Sequence, residues 1–245
     1  MADMWRTIGQ DRVVTTLRQA LGKGGLAHAY LVVGPAHIGK MTLALDLVRA
    51  VNCTGAERPC GVCEQCRRID ERLHADVRIV SVESGQAPGG RRRTAIGIDQ
   101  IREIQREASL KPYEGSSRVL IFDGAGRMTE EAANSLLKTL EEPPDQAILL
   151  LLAHDESAVL PTIVSRCHRI DLRPVASAQV YAELEDRFAL DTASSMEIAR
   201  VSAGRVGWAF RAAASPELLE ERSKRLDRFE SAMEGGIEPR FAFAA

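Results

Sequence analysis

Several groups of residues carry chemistry by their type and spacing. In LVVGPAHIGKMTLALD, residues 31–46, an apolar run leads into a turn bounded by Gly34 and Gly39, then Lys40 and a helix-like run from Thr42. That is the order strand, phosphate loop, helix. Glycines let backbone N–H groups converge on one point, the positive end of the helix adds to their field, and Lys40 supplies a cation. Such a loop holds di- and triphosphates. The hydroxyl that would ligate Mg²⁺ directly after the lysine is replaced by Met41, whose soft thioether does not suit Mg²⁺. Thr42 stands one step on, about 100° round the helix, which turns its hydroxyl away from that role. Phosphate binding by Gly34, Gly39, Lys40 and Thr42 therefore stands beside a second reading, a loop kept as structure alone. Mg²⁺-assisted ATP hydrolysis at this loop is not expected.

The second group is CTGAERPCGVCEQC, with Cys53, Cys60, Cys63 and Cys66. Two overlapping C-x-x-C steps and one cysteine upstream suit a tetrahedral Cys₄ zinc site, with Gly61 easing the tight turn. In a reducing compartment zinc is the expectation over disulfides, and four thiolates leave no open position for catalysis, so the zinc is read as structural. A third candidate is Asp123, at the tip of the apolar run RVLIFD, the usual place for a second Mg²⁺ partner beside a phosphate loop. The next residue is Gly124, where a water-activating glutamate would be needed, and this second defect points the same way as Met41. Arg91, Arg92 and Arg93 could touch a phosphate backbone, although a solvated loop tip is the plainer reading.

Elements must position these groups. The chain has 245 residues, 45% hydrophobic and 27% charged, ordinary for a globular protein with a substantial core. Aromatic content of 4% gives no base-stacking platform, and a net charge of −2 implies no general attraction to nucleic acid. No apolar run approaches the roughly 20 residues of a membrane span. The N-terminus lacks a signal-peptide h-region, so a cytoplasmic location is expected and no membrane partner. A loop and amphipathic helix fill 7–22, with Val13, Val14, Leu17 and Leu21 on one face. Buried strands are expected at 28–33, 77–82, 118–123 and 146–154, with the helix 42–53 after the loop. Asp99 is expected to cap a helix presenting Ile101, Ile104 and Ala108, and Thr129 one presenting Ala133, Leu136, Leu137 and Leu140. Residues 158–174 hold a turn, a short helical piece and an edge strand. After Pro174 the pattern is helical throughout. A last helix is signalled by Ser215–Pro216, ends at Gly235–Gly236 and has no evident partner in the sequence.

The stretches GQDRVVTTLRQAL, HAYLVVGPAHIGK, the four-cysteine insert, RVLIFDGAGRMTEEAANSLLKTLEEPP and LPTIVSRC closely resemble the clamp-loader subunits of bacterial DNA polymerase III, of the AAA+ class. The resemblance covers roughly 7–210. It implies an α/β fold, an AAA+ P-loop parallel sheet flanked by helices with a zinc-binding insert, followed by a small all-helical lid. It implies three domains: 1–174, a lid at 175–212, and a helical collar begun at 213–245. The chain ends where the collar would begin, so a shortened member or a truncated chain is expected. Two branches share these features, the ATP-hydrolysing gamma/tau motor and the delta-prime subunit. Met41, Asp123–Gly124, Ala153 and His154 at the first sensor, and Gly207 at the second sensor all depart from the motor and resemble delta-prime. The retained SRC triplet implies that Arg166 projects into a neighbouring subunit's ATP site as an arginine finger. Without that context Arg166 would read as a surface ion-pairing residue. Cys167 is then a core residue and no fifth metal ligand. The six residues before the first C-x-x-C are fewer than the family usually has, which could shift the loop without removing a ligand. The partners implied are gamma/tau motor subunits, the delta subunit, the sliding clamp and primer–template DNA.

The expected function is thus a non-catalytic subunit of the polymerase holoenzyme that completes a neighbour's ATP site during clamp loading. Its alternatives are a gamma/tau-like motor, an autonomous ATPase using Lys40 and Asp123, and a zinc-dependent nucleic-acid-binding module.

Overall fold

The computed structural model describes residues 4–84, 93–215 and 217–234. Arg91 and Arg92, Pro216 and Gly235–Gly236 lie outside the described residues. The chain divides into two compact units, Met1–Pro174 and Val175–Ala245.

The first unit is built on five parallel strands: β1 Ala29–Val33, β2 Val77–Ser81, β3 Arg118–Asp123, β4 Ala147–Ala153 and β5 His168–Asp171. Their order across the sheet is β2-β3-β4-β1-β5. All of β1 and β4 is buried, as near-continuous Val/Leu/Ile runs require of parallel strands covered on both faces. Alternate residues serve opposite layers. Leu31, Leu120, Phe122, Leu149 and Leu151 join one apolar cluster, and Val32, Val119, Ile121, Leu150 and Leu152 the other. Helices α1 Asp11–Gly22, α2 Lys40–Asn52 and α3 Glu64–Asp70 cover the second face. Helices α4 Ile98–Ala108, α5 Glu130–Glu141 and α6 Pro161–Val164 cover the first.

Helix α5 is capped as its sequence demands, the Thr129 hydroxyl accepting from Ala132 N at 3.2 Å. Helix α4 is not capped by Asp99. Its N-cap is Gly97, and Asp99 lies in the first turn. Gly97 N donates to Gln100 Oε1 at 3.1 Å, so a glutamine reaching back from the first turn satisfies the helix start that the aspartate was expected to serve. Helix α3, inside the cysteine insert, is an element that periodicity did not predict; seven residues are too few to show a period.

The second unit holds α7 Ser177–Arg187, α8 Thr192–Val201, α9 Val206–Ala214 and α10 Glu217–Glu234. The run SSMEIARVSAGRVGWAFRAAA forms two helices, because Ala203 (φ 50°) and Gly204 (φ 76°) turn the chain between them. Helix α10, without evident partner in the sequence, meets α9 where Arg222 sits 5.9 Å from the Trp208 ring centroid. Among the described residues no helix is long and apolar enough to cross a membrane.

Candidate functional site

The parallel sheet leaves its strand ends at one edge, and the phosphate loop lies there. Gly34 follows the last residue of β1, and its N–H donates to Ala153 O at the end of β4 (3.3 Å). A Cβ on Gly34 would lie 2.9 Å from Leu172 O, so only glycine lets the loop leave the sheet this closely. Gly39 caps α2 at φ 110°, in the left-handed region that glycine adopts readily. His37 takes φ 62° at the loop tip. Ile38 is buried in the cluster under α2. The Lys40 ammonium donates to two carbonyls of its own loop, Gly34 O at 2.6 Å and Pro35 O at 2.8 Å. Burial holds the Lys40 pKa below the usual lysine value, and the Asp123 charge pulls it back up.

The other residues singled out around the loop take the following places. Met41 is the second residue of α2 and packs against the apolar cluster that this helix covers. Thr42 is half-buried on the same helix. Asp123 is exposed at the end of β3, and Gly124 follows at φ 93°, where a residue bearing a side chain would be strained. Gly124 N donates to Leu152 O at 3.1 Å, which fixes that turn against β4. Ala153 is buried, His154 is exposed, and Gly207 lies in the first turn of α9. A groove of about 500 Å³ runs from Met41 and Asp123 past Arg78 and His74, along the outer edge of β2.

The four cysteines converge. Cys53, Cys60, Cys63 and Cys66 place their sulfurs within 4.8 Å of one another, with Cys53 and Cys63 Sγ 3.9 Å apart. A tetrahedral ion with Zn–S bonds near 2.3 Å separates its sulfurs by about 3.8 Å, so the donor set fits zinc. Backbone N–H groups point at these sulfurs: Gly55 and Cys60 at Cys53 Sγ (3.3 and 3.2 Å), Cys63 at Cys60 Sγ (3.3 Å), and Cys66 at Cys63 Sγ (3.5 Å). Burial raises Cys63, but the backbone N–H groups of Cys66 and Thr54 outweigh it and bring the thiol down to about 6. Burial pushes the Cys53 and Cys66 thiols up. Gly61 makes the turn at φ 71°, and Cys63 caps α3, which carries Cys66 into the core. Four residues of this kind could hold one structural Zn²⁺.

Arg166 lies just past α6, apart from both groups. Its Nη1 donates to Thr162 O at 2.9 Å and its Nη2 to Glu141 Oε1 at 2.6 Å. Cys167 is half-buried against the first apolar cluster, and burial pushes its thiol up to about 12.

Two buried charge networks were missed in the sequence. Asp46 and Arg49 pair inside α2, both buried. Asp46 Oδ2 also accepts from Thr7 N and Oγ1, at 2.8 and 2.6 Å, which straps the N-terminal segment to the phosphate-loop helix. Asp76 accepts from the N–H groups of Tyr113, Glu114 and Gly115 and from Arg118 Nη2, all within 3.0 Å. Burial opposes its charge, but these donors prevail and hold it below its ordinary value. The available signal was an acid and a base three residues apart in an otherwise apolar helix, and a lone acid just before a strand.

A sheet in this order with a glycine-bounded loop after β1 makes this an AAA+ P-loop protein. Solved structures agree on the fold: a DNA polymerase III gamma subunit-related protein of Thermotoga maritima (TM-score 0.51, 24% identity, covering 92% of this chain and 64% of that one). RuvB, the Holliday junction branch migration motor of the same organism, is similar at TM-score 0.54 and 20% identity, over 89% and 64%. The sequence family described as "DNA polymerase III, delta subunit" matches residues 9–176. Subunit delta' of Bacillus subtilis is 32% identical over 236 residues, 94% of this chain and 68% of the relative. Subunit gamma/tau of Mycobacterium tuberculosis is 34% identical over 174 residues, 70% of this chain and 29% of the relative. Subunit tau of Bacillus subtilis is 32% identical over 179 residues, 72% and 30%. The chain therefore belongs to the DNA polymerase III clamp-loader subunit family. It spans less than a third of the length of these gamma and tau relatives.

Proposed function

We propose that this chain is a delta-prime-type clamp-loader subunit, which hydrolyses no ATP itself and completes a neighbour's ATP site. The observation that carries this reading is the phosphate loop. Its backbone is built as a phosphate cradle, yet Met41 turns onto the apolar core where a Mg²⁺ hydroxyl would stand, and Gly124 supplies no base beside Asp123. Gly34, Gly39, Lys40, Thr42 and Asp123 then form a frame that binds nucleotide weakly or serves structure alone. Arg166 lies on the surface after α6, and its planar cation would stabilise charge on a phosphoryl group in the adjacent subunit. The cysteines hold a structural Zn²⁺ that ties the end of α2 to α3. Residues 175–212 act as the lid, and α10 belongs to the collar. The partners are gamma/tau motors and the delta subunit, and through the assembled loader the sliding clamp and primer–template DNA.

Steady-state ATPase of the purified chain tests this reading. The expected result is turnover at the assay background, alone and with DNA. Turnover at the rate of a gamma/tau subunit would establish the motor reading instead. Titration with a fluorescent ATP analogue then measures how much of the cradle still works.

A further inference from the structure

The guanidinium of Arg166 is held inside its own subunit before any partner arrives. Nη1 donates to the Thr162 carbonyl at 2.9 Å and lies 3.4 Å from Ser165 Oγ. Nη2 donates to Glu141 Oε1 at 2.6 Å. The carboxylate takes one hydrogen of Nη2, and among the described residues Nε makes no hydrogen bond. The fork is therefore fixed in its plane while Nε–H and the second hydrogen of Nη2 stay available to an outside oxygen.

Glu141 sits where its own helix does not want it. It is the last residue of α5, with Glu142 as C-cap, and a carboxylate at a helix C-terminus faces the negative end of the dipole. Pro143 and Pro144 end the helix beyond it. Its ion pair with Arg166 is the one salt bridge it makes among the described residues. The side chains are 51% and 35% exposed, so the pair stands at the surface and is no part of the core.

We propose that Glu141 is a positioning residue for Arg166. It orients the guanidinium so that its remaining donors present to a phosphoryl oxygen of the adjacent subunit. This inference rests on the in-trans role of Arg166. An arginine already ordered loses less side-chain freedom on docking than one free in solvent, and donors set in advance need no reorganisation as charge develops. The contact is a hydrogen bond to one oxygen, so a neutral amide carbonyl at the same place keeps its geometry.

The test is single-turnover ATP hydrolysis by a loader reconstituted from this chain, gamma/tau and delta, with clamp and primer–template DNA. Hydrolysis is read at the site that Arg166 faces, and each variant's zinc content and melting are checked first. Glu141→Ala is expected to lower the maximal rate roughly threefold to fivefold, the scale of one exposed ion pair, with the half-saturating ATP changed by less than about twofold. Glu141→Gln is expected to recover most of that loss, because it keeps the acceptor. In an Arg166→Ala background, Glu141→Ala should cost nothing more. A rate unchanged or raised by Glu141→Ala, with Arg166→Ala still slow, overturns the positioning role alone. A Glu141→Ala loss that persists without Arg166 also overturns it. If Arg166→Ala itself leaves the rate unchanged, the in-trans reading fails and the role of Glu141 goes with it.

Discussion

Helix α2 joins two sites that have kept different halves of their chemistry. At its first turn the phosphate loop retains what the backbone supplies: Gly34 against Leu172, Gly39 at φ 110°, and Lys40 bonded into the loop. The side chains that would make the loop hydrolytic are replaced. Just past its last residue, Cys53 begins a cluster whose four sulfurs all lie within 4.8 Å. A site made of backbone N–H groups persists as long as its glycines do, because the glycines fold the sheet edge whether or not a ligand comes. A site made of side chains loses its metal when one of them changes. The contrast teaches that a cradle built from backbone can keep its shape whatever side chains surround it.

The contrast breaks most sharply at the cysteines. Cys66→Ser is expected to take zinc from about one per chain to near none, as assayed by metal analysis. It is also expected to lower the melting temperature markedly, since structural zinc contributes roughly 10 kcal/mol or more in small domains. Full metal retention in the variant would remove the side-chain half of the comparison. Next in size is Arg166→Ala, expected to slow the neighbouring site roughly 10³-fold, about 4 kcal/mol, while the chain stays folded by circular dichroism.

Asp76 supplies a third effect, because there one side chain organises backbone donors. Asp76→Ala leaves three N–H groups unanswered and Arg118 with the Lys111 carbonyl but no counter-charge, and chemical denaturation should show a loss of about 3–5 kcal/mol. The pH dependence follows in sign. The folded pKa of Asp76 lies below its ordinary 3.8, so in acid the folded chain binds fewer protons than the unfolded one. Its contribution is complete above about pH 4 and is lost as pH falls through the folded value. Asp76→Asn should flatten that acid limb. The smallest effect is expected at the loop. Met41→Thr should raise nucleotide affinity less than about tenfold, under 1.4 kcal/mol, and leave ATP turnover absent, because Gly124 still provides no base. Turnover in that variant would show that a single hydroxyl separates this frame from a motor.

Much of the architecture was legible in local spacing. Continuous apolar runs gave the strands, period-3.6 faces gave α1, α4 and α5, and Thr129 capped as read. Other features were not. Seven residues of α3 are too short to show a period, and the Gly97 start of α4 is satisfied by Gln100, three residues away, in place of the aspartate beside it.

By itself the sequence determined the strands, the loop and the four cysteines in reach of one another. Each of these depends on residues close along the chain, where bond geometry and period fix who meets whom. Tertiary structure alone decided that Asp76 collects donors 37 to 39 residues away, and that Glu141 meets Arg166 across 25 residues. Those meetings depend on which strands are neighbours in the sheet, and strand order is set by how the two apolar layers close, which no local pattern states.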